Sequence, residues 1–226
     1  MPLYWPLTLM SSTGGGPAQA TLIGSLFSAT DGTTYTTSTL TFGTETDRRI
    51  VVTANFIAGA GIGSPSSFAI GDDSSPTNHV DSGSSTARAF IYVGNPTTNT
   101  GTVSVTMPAT MVDGVLCVYK VTNLVDPSTP VSAGVTTSGD PITATVTVPA
   151  SGCLISTAMA GNAIGGTYTW LLNGASVTEQ DSGTPDSRLA STIKFDNSGA
   201  VMTGVTLSAE HSGTPTNPRL TYITFR

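Results

Sequence analysis

From residue 20 to residue 226 the sequence is a succession of short runs rich in Thr, Val, Ile, Phe and Tyr, each closed by a cluster of Gly, Pro, Asn, Asp or Ser. β-Branched and aromatic side chains suit a pleated surface, and the closing residues are the ones turns require. The clearest runs cover residues 21–29, 35–42, 48–57, 66–71, 86–94, 101–107, 115–125, 142–148, 153–160, 167–172, 187–195, 201–209 and 219–225. Two of them alternate. Val103, Val105 and Met107 interleave with Thr102, Ser104 and Thr106, and Ile142, Ala144, Val146 and Val148 repeat the device. Such strands put an apolar face on a core and a hydroxyl face toward water. No window of about a dozen residues sustains a 3.6-residue apolar period free of Gly, Pro and β-branched residues, so no long helix is expected. The expectation is all-β: a two-sheet antiparallel β-sandwich, jelly-roll-like, over residues 20–226, preceded by an extended arm over residues 1–19. A length of 226 residues fits one such domain.

Composition then narrows function. The chain has 40 Thr, 26 Ser, 25 Gly and 14 Pro and is only 10% charged, which makes a hydroxyl-rich, weakly charged surface. Eight Lys and Arg against 14 Asp and Glu leave a net charge of −6, the wrong sign for a nucleic-acid footprint. No run approaches the roughly 20 apolar residues of a membrane-spanning helix. Residues 1–10 hold no Lys or Arg and are interrupted by Pro2 and Pro6, so no secretory signal is expected.

The arm bunches Tyr4, Trp5, Leu7, Leu9 and Met10 ahead of a Ser11-Ser12-Thr13-Gly14-Gly15-Gly16-Pro17 tether. An apolar tip on a flexible tether is a docking pattern, and Tyr4, Trp5, Leu7 and Leu9 are the candidate partner-binding residues. The same residues also suit an edge strand or wrap on the chain's own domain. One short self-similarity, Val-Thr-Met-Pro-Ala at residues 105–109 against Val-Thr-Val-Pro-Ala at 146–150, is too brief to define a repeat.

Catalytic signatures are few. No G-x-S-x-G elbow, P-loop, paired metal-type His spacing or C-x-x-C occurs, and no catalytic residue, cofactor or metal site is expected. Gly59-Ala60-Gly61-Ile62-Gly63 runs into Ser64-Pro65-Ser66, which does not open a pyrophosphate-binding helix, so it reads as a loop. Asp72, Asp73, Asn78, His79 and Asp81 crowd one segment, but without the spacing or closing Glu of an EF-hand they read as turn residues. Glu179 and Asp181, two apart on a strand, are expected to share a face, with Glu210 as a third acid; they are the candidates for a carbohydrate-active enzyme, a reading kept as an alternative. His79 and His211 read as surface histidines. Arg48 and Arg49 read as strand-edge solvation or as partners of Glu45 and Asp47. Trp170 reads as core, with Trp5 and Tyr168 as contact aromatics. Cys117 and Cys153, inside apolar runs, read as small buried hydrophobes, with a bridge between them left open.

The series Phe27-Ser-Ala-Thr-Asp-Gly-Thr-Thr-Tyr35, Asp47-Arg-Arg-Ile-Val-Val-Thr-Ala54, Ala89-Phe-Ile-Tyr-Val-Gly-Asn-Pro96, Gly101-Thr-Val-Ser-Val-Thr106 and Val115-Leu-Cys-Val-Tyr-Lys-Val-Thr-Asn-Leu124 resembles the β-sandwich domains of tailed-bacteriophage structural proteins. Val146-Thr-Val-Pro-Ala-Ser-Gly-Cys-Leu154, Tyr168-Thr-Trp170 and Arg219-Leu-Thr-Tyr-Ile-Thr-Phe225 continue the likeness across residues 20–226. The resemblance implies a non-enzymatic virion protein, a capsid decoration or cement protein first and a tail or head-fibre adhesin second. It implies other virion proteins (major capsid protein or tail components) as partners, homo-oligomerisation, assembly in the host cytoplasm, and for the adhesin a host receptor or glycan.

Overall fold

The computed structural model describes residues 16–58, 61–83, 86–161, 166–184 and 188–226. Among them there is no helix; the chain is all-β, and every strand pairing is antiparallel. Ten strands make the first half: β1 (Gln19–Ser28), β2 (Gly32–Thr36), β3 (Leu40–Thr41), β4 (Arg49–Ile57), β5 (Ser67–Ile70), β6 (Thr77–Asp81), β7 (Ala87–Gly94), β8 (Thr100–Gly101), β9 (Val103–Met111) and β10 (Asp113–Thr122). Nine make the second: β11 (Ser132–Thr136), β12 (Ile142–Val148), β13 (Cys153–Gly161), β14 (Tyr168–Leu172), β15 (Ala175–Ser176), β16 (Glu179–Gly183), β17 (Arg188–Asp196), β18 (Met202–His211) and β19 (Thr216–Phe225).

The sandwich has more layers than the two sheets expected from the sequence. Two five-stranded sheets, ordered β1-β10-β4-β7-β6 and β11-β19-β13-β17-β16, lie back to back at the centre. Outside the first sits β2-β9-β5 with the short pair β3-β8; outside the second sits β12-β18-β14-β15. The physical reason is visible in strands buried on both faces. On β4, Ile50, Val52, Ala54 and Phe56 enter the outer core with Phe68, Phe90 and Val105, while Val51 and Ile57 enter the central seam with Cys117, Ile155 and Ile223. On β13, Cys153, Ile155 and Met159 face the seam, and Leu154, Ala158 and Ala160 face Trp170, Leu207 and Leu220. A strand with a core on either side reads as a largely apolar run, as residues 50–57 and 153–160 do, with Thr53, Asn55, Ser156 and Thr157 as their polar positions.

The two halves wind alike. In each, the first strand pairs with the last (β1 with β10, β11 with β19). The last then pairs with β4 or β13, which pairs with β7 or β17, which pairs with the edge strand β6 or β16. Their contact is reciprocal as well: β1 lies against β16 and β17, and β11 against β6. The self-similar fragments at 105–109 and 146–150 do not mark this repetition, since they fall on β9 and at the end of β12, which occupy different places in the two windings.

The seam is not purely apolar. Thr157 donates to Thr53 (2.7 Å), Tyr119 Oη lies 2.8 Å from Thr192 Oγ1, and Thr192 donates to the Ser156 carbonyl (3.0 Å). At its edge the Ala20 amide donates to Asp196 Oδ1 (3.0 Å), and Ser25 donates to Asp181, so β1 is bonded to the second half as well as to β10.

Candidate functional site

One pole of the molecule collects both ends of the described chain. The Ala18 amide donates to the Ser151 carbonyl (2.8 Å), and Asn123 Nδ2 donates to the Pro17 carbonyl (3.2 Å). Two residues on, the Val125 amide donates to the carbonyl of Arg226 (2.9 Å). The segment joining the halves, residues 123–131, therefore lies between the entry and exit of the chain.

The loops of this pole are held by buried polar side chains. Arg48 donates to the carbonyls of Glu45 (2.7 Å), Pro96 (2.8 Å) and Thr98 (3.1 Å), tying the loop before β4 to the loop after β7. In the second half Asn197 does the same work: its Nδ2 donates to the carbonyls of Pro149 (2.8 Å) and Ala200 (2.9 Å), tying the loop before β13 to the loop after β17. A buried group reaching several carbonyls fixes loops that have no ladder of their own.

Two clefts open between these loops. The first, about 230 Å³, is polar, with Arg49, Asp73, His79, Asn95 and Ser128 on its walls. Arg49 Nη1 is held by the Arg48 carbonyl (2.7 Å) and Asn95 Oδ1 (3.1 Å). His79 is skipped in the pairing of β6 with β7, a bulge that re-aims its side chain, and burial holds it below the usual histidine range. The second cleft, about 400 Å³, is apolar, walled by Val131, Thr147, Pro149, Ala150, Val201 and Arg226. Val125, Val131 and Val201 are 69%, 50% and 55% exposed and are the large exposed apolar side chains among the described residues; all three belong to this pole. An exposed apolar cluster is a usual mark of an interaction surface.

The residues singled out from the sequence are dispersed. Tyr4, Trp5, Leu7 and Leu9 lie outside the described residues, as do Gly59 and Ala60. The turn reading holds for residues 71–75, but Asn78, His79 and Asp81 lie on strand β6, paired with β7, and not in a turn. Asp72 accepts from the Thr97 amide (2.8 Å) and from the Thr97 hydroxyl, and those bonds, the hydroxyl's above all, hold its carboxyl down at about 2. Asp73 accepts from the amides of Ser75 (3.0 Å) and Asn95 (2.9 Å). Asp81, at the far end of β6, forms an ion pair with Arg88 (2.5 Å).

Four expectations are corrected. Glu179 and Asp181 do not share a face, because Gln180 is a bulge: Glu179 pairs with Ile193, which belongs to the outer core, and Asp181 with Thr192, which faces the seam. Glu210 stands on a third strand, β18, opposite Thr169. His211 is not a surface residue; it is 5% exposed, its Nδ1 accepts from the Gly213 amide (2.9 Å), and it packs edge-on against Tyr168, which is itself buried rather than a contact aromatic. Arg48 and Arg49 bind carbonyls, and the ionic partner of Glu45 is Lys120 (2.8 Å). Trp170 is core, as expected, with Nε1 donating to Ser191 (2.8 Å). Cys117 and Cys153 are free, buried thiols, both pushed up to about 12 by burial.

The chain matches no family model, no curated protein and no solved structure.

Proposed function

We propose that this chain is a non-enzymatic structural protein of a tailed-bacteriophage virion, a capsid decoration or cement protein that holds to its particle by the pole just described. The observation that carries the reading is the coincidence at one pole of Val125, Val131, Val201 and both ends of the described chain. The repeated winding supports it by analogy, because antiparallel sheets packed face to face are the architecture of many viral capsid and lectin domains. The phage assignment itself comes from the likeness of the strand and turn series. Partners on this reading are other virion proteins and further copies of the chain, and no cofactor is called for.

The test is a particle assembled with a variant carrying Val125→Asp, Val131→Asp and Val201→Asp. Incorporation is expected to fall roughly tenfold or more, the effect of losing about 1.4 kcal/mol or more of binding, with an unchanged melting transition. Particles lacking the protein are expected to lose resistance to heat and osmotic shock while still adsorbing to cells. Normal incorporation of the variant overturns the attachment pole. The adhesin reading is favoured by the polar cleft, whose arginine, asparagine and hydroxyls suit a sugar ring; loss of adsorption with unchanged particle resistance selects it instead.

A further inference from the structure

We propose that the polar cleft between β6, β7 and the segment joining the halves is a binding site for a single uncharged sugar ring, held by two neighbouring hydroxyls between Arg49 and Asp73. Asn95 sets those two groups side by side. Its Oδ1 accepts from Arg49 Nη1 (3.1 Å), and its backbone amide donates to Asp73 Oδ2 (2.9 Å). The other bond of Nη1 goes to the Arg48 carbonyl (2.7 Å), so among the described residues Nε and Nη2 of the guanidinium have no acceptor. The Asp73 carboxylate takes one amide on each oxygen, from Ser75 and Asn95, and a carboxylate has about four lone-pair sites. A fixed donor beside a fixed acceptor, each with capacity left, is what a vicinal diol satisfies. One hydroxyl accepts from the guanidinium while its neighbour donates to the carboxylate.

Size and charge say what else the ligand carries. Drug-sized ligands take clefts of about 300–1,000 Å³; this one, at about 230 Å³, has room for one ring. Pro76, Val93 and Pro127 give it apolar wall for the C–H edge of such a ring. Arg49 already lies in the fields of Asp126 and Asp47, and Asp73 shares the cleft, so three carboxylates face the guanidinium groups of Arg48 and Arg49. Burial holds His79 below the usual histidine range, so at neutral pH its ring brings one donor and one acceptor and no charge. An anionic ligand would meet this surplus of carboxylates on a chain whose net charge is −6, and like charges brought together oppose binding. An uncharged polyol meets no such opposition.

The inference rests on the sugar reading of this cleft given above, and its test is made on the free full-length chain. Methyl glycosides of glucose, galactose, mannose, rhamnose and N-acetylglucosamine are titrated, with glucuronic acid as the charged comparison, and the backbone amide signals of Asn95 and Thr77 are followed by NMR. At least one neutral glycoside is expected to bind saturably in the millimolar range. Arg49→Gln and His79→Ala are each expected to weaken it roughly tenfold or more. The melting transition of His79→Ala is expected to be unchanged, because among the described residues its side chain makes no hydrogen bond, so that variant carries the test even where Arg49→Gln loosens the loops. Failure of every neutral glycoside to saturate at up to about 100 mM overturns the inference. Binding that both variants leave intact overturns the site, and tighter binding of glucuronic acid overturns the uncharged class. Saturable binding by the free chain sustains the site even where particles carrying Arg49→Gln adsorb normally, a result that overturns only the adhesin reading.

Discussion

Thr157 donates a 2.7 Å hydrogen bond to the hydroxyl of Thr53 across the seam between the two central sheets, with both side chains wholly out of solvent. The bond joins β13 to β4, the middle strands of the two sheets. Thr157→Val removes the donor and leaves the Thr53 hydroxyl in a dry environment, at an expected cost of about 1–3 kcal/mol. The double variant Thr53→Val, Thr157→Val is expected to lose less than the sum of the two single variants, by about 1 kcal/mol, because neither hydroxyl is then stranded by the other's removal. Urea unfolding of the three variants measures the cycle, and strict additivity would refute the coupling.

Asn55 presents the opposite case. It is fully buried on the seam side of β4, and among the described residues neither its Nδ2 nor its Oδ1 has a hydrogen-bond partner. Asn55→Leu keeps the approximate volume and removes the unpaired amide, so stability is expected to rise by about 1–2 kcal/mol. A fall in the urea midpoint would show that the amide is satisfied in solution.

Acid weakens one loop contact in a defined window. Asp72 sits at about 2 in the fold against an ordinary value of 3.8, held there chiefly by the hydroxyl of Thr97 and then by the amides of Thr98 and Thr97. A folded value below the unfolded one means that the contribution is fully present above about pH 4 and is lost as pH falls through about 2. Asp72→Asn is expected to lower the melting temperature at neutral pH and to flatten its decline between those limits, so that variant and wild type converge as the pH falls. An unaltered acid profile would remove Asp72 from the account.

The thiols are expected to be inert in the fold. With Cys117 and Cys153 both at about 12 and buried, almost no thiolate is present at about pH 8. Iodoacetamide should add nothing to the native protein and two adducts to the denatured one, read by mass. Adducts on the native protein would mean that the seam opens.

Much of this fold is legible in the residues, and the exceptions have physical causes. Residues 142–148 alternate because they bridge a core and solvent, and β12 has those bounds. The largely apolar runs at 50–57 and 153–160 also signal a third and fourth layer, since a strand facing water on one side has no reason to be apolar on both. Strands β6 and β11 are invisible as strands because they are edges: Thr77-Asn-His-Val-Asp81 and Ser132-Ala-Gly-Val-Thr136 carry few large apolar side chains and are recruited by their neighbours' ladders. The bulge at Gln180 defeats the period of two on which a shared face for Glu179 and Asp181 depends. Of the site, the turn chemistry of Asp72 and Asp73 was legible. The clustering of Val125 and Val131 with Val201 was not, because only the winding brings the segment 123–131 and the β17–β18 loop to one pole.

Sandwiching the central sheets between outer layers also fixes how backbone amides meet solvent. All eight residues of β7 and all nine of β13 are buried, whereas β6 and β16 keep exposed positions along their length. Amides of β4, β7, β10 and β13 have no local route to deuterium, because freeing them requires the seam and an outer core to part together. The slowest-exchanging protons should therefore come from both halves with one common rate, and the edge strands should exchange ahead of them. On that map two windings of similar design behave as a single cooperative unit.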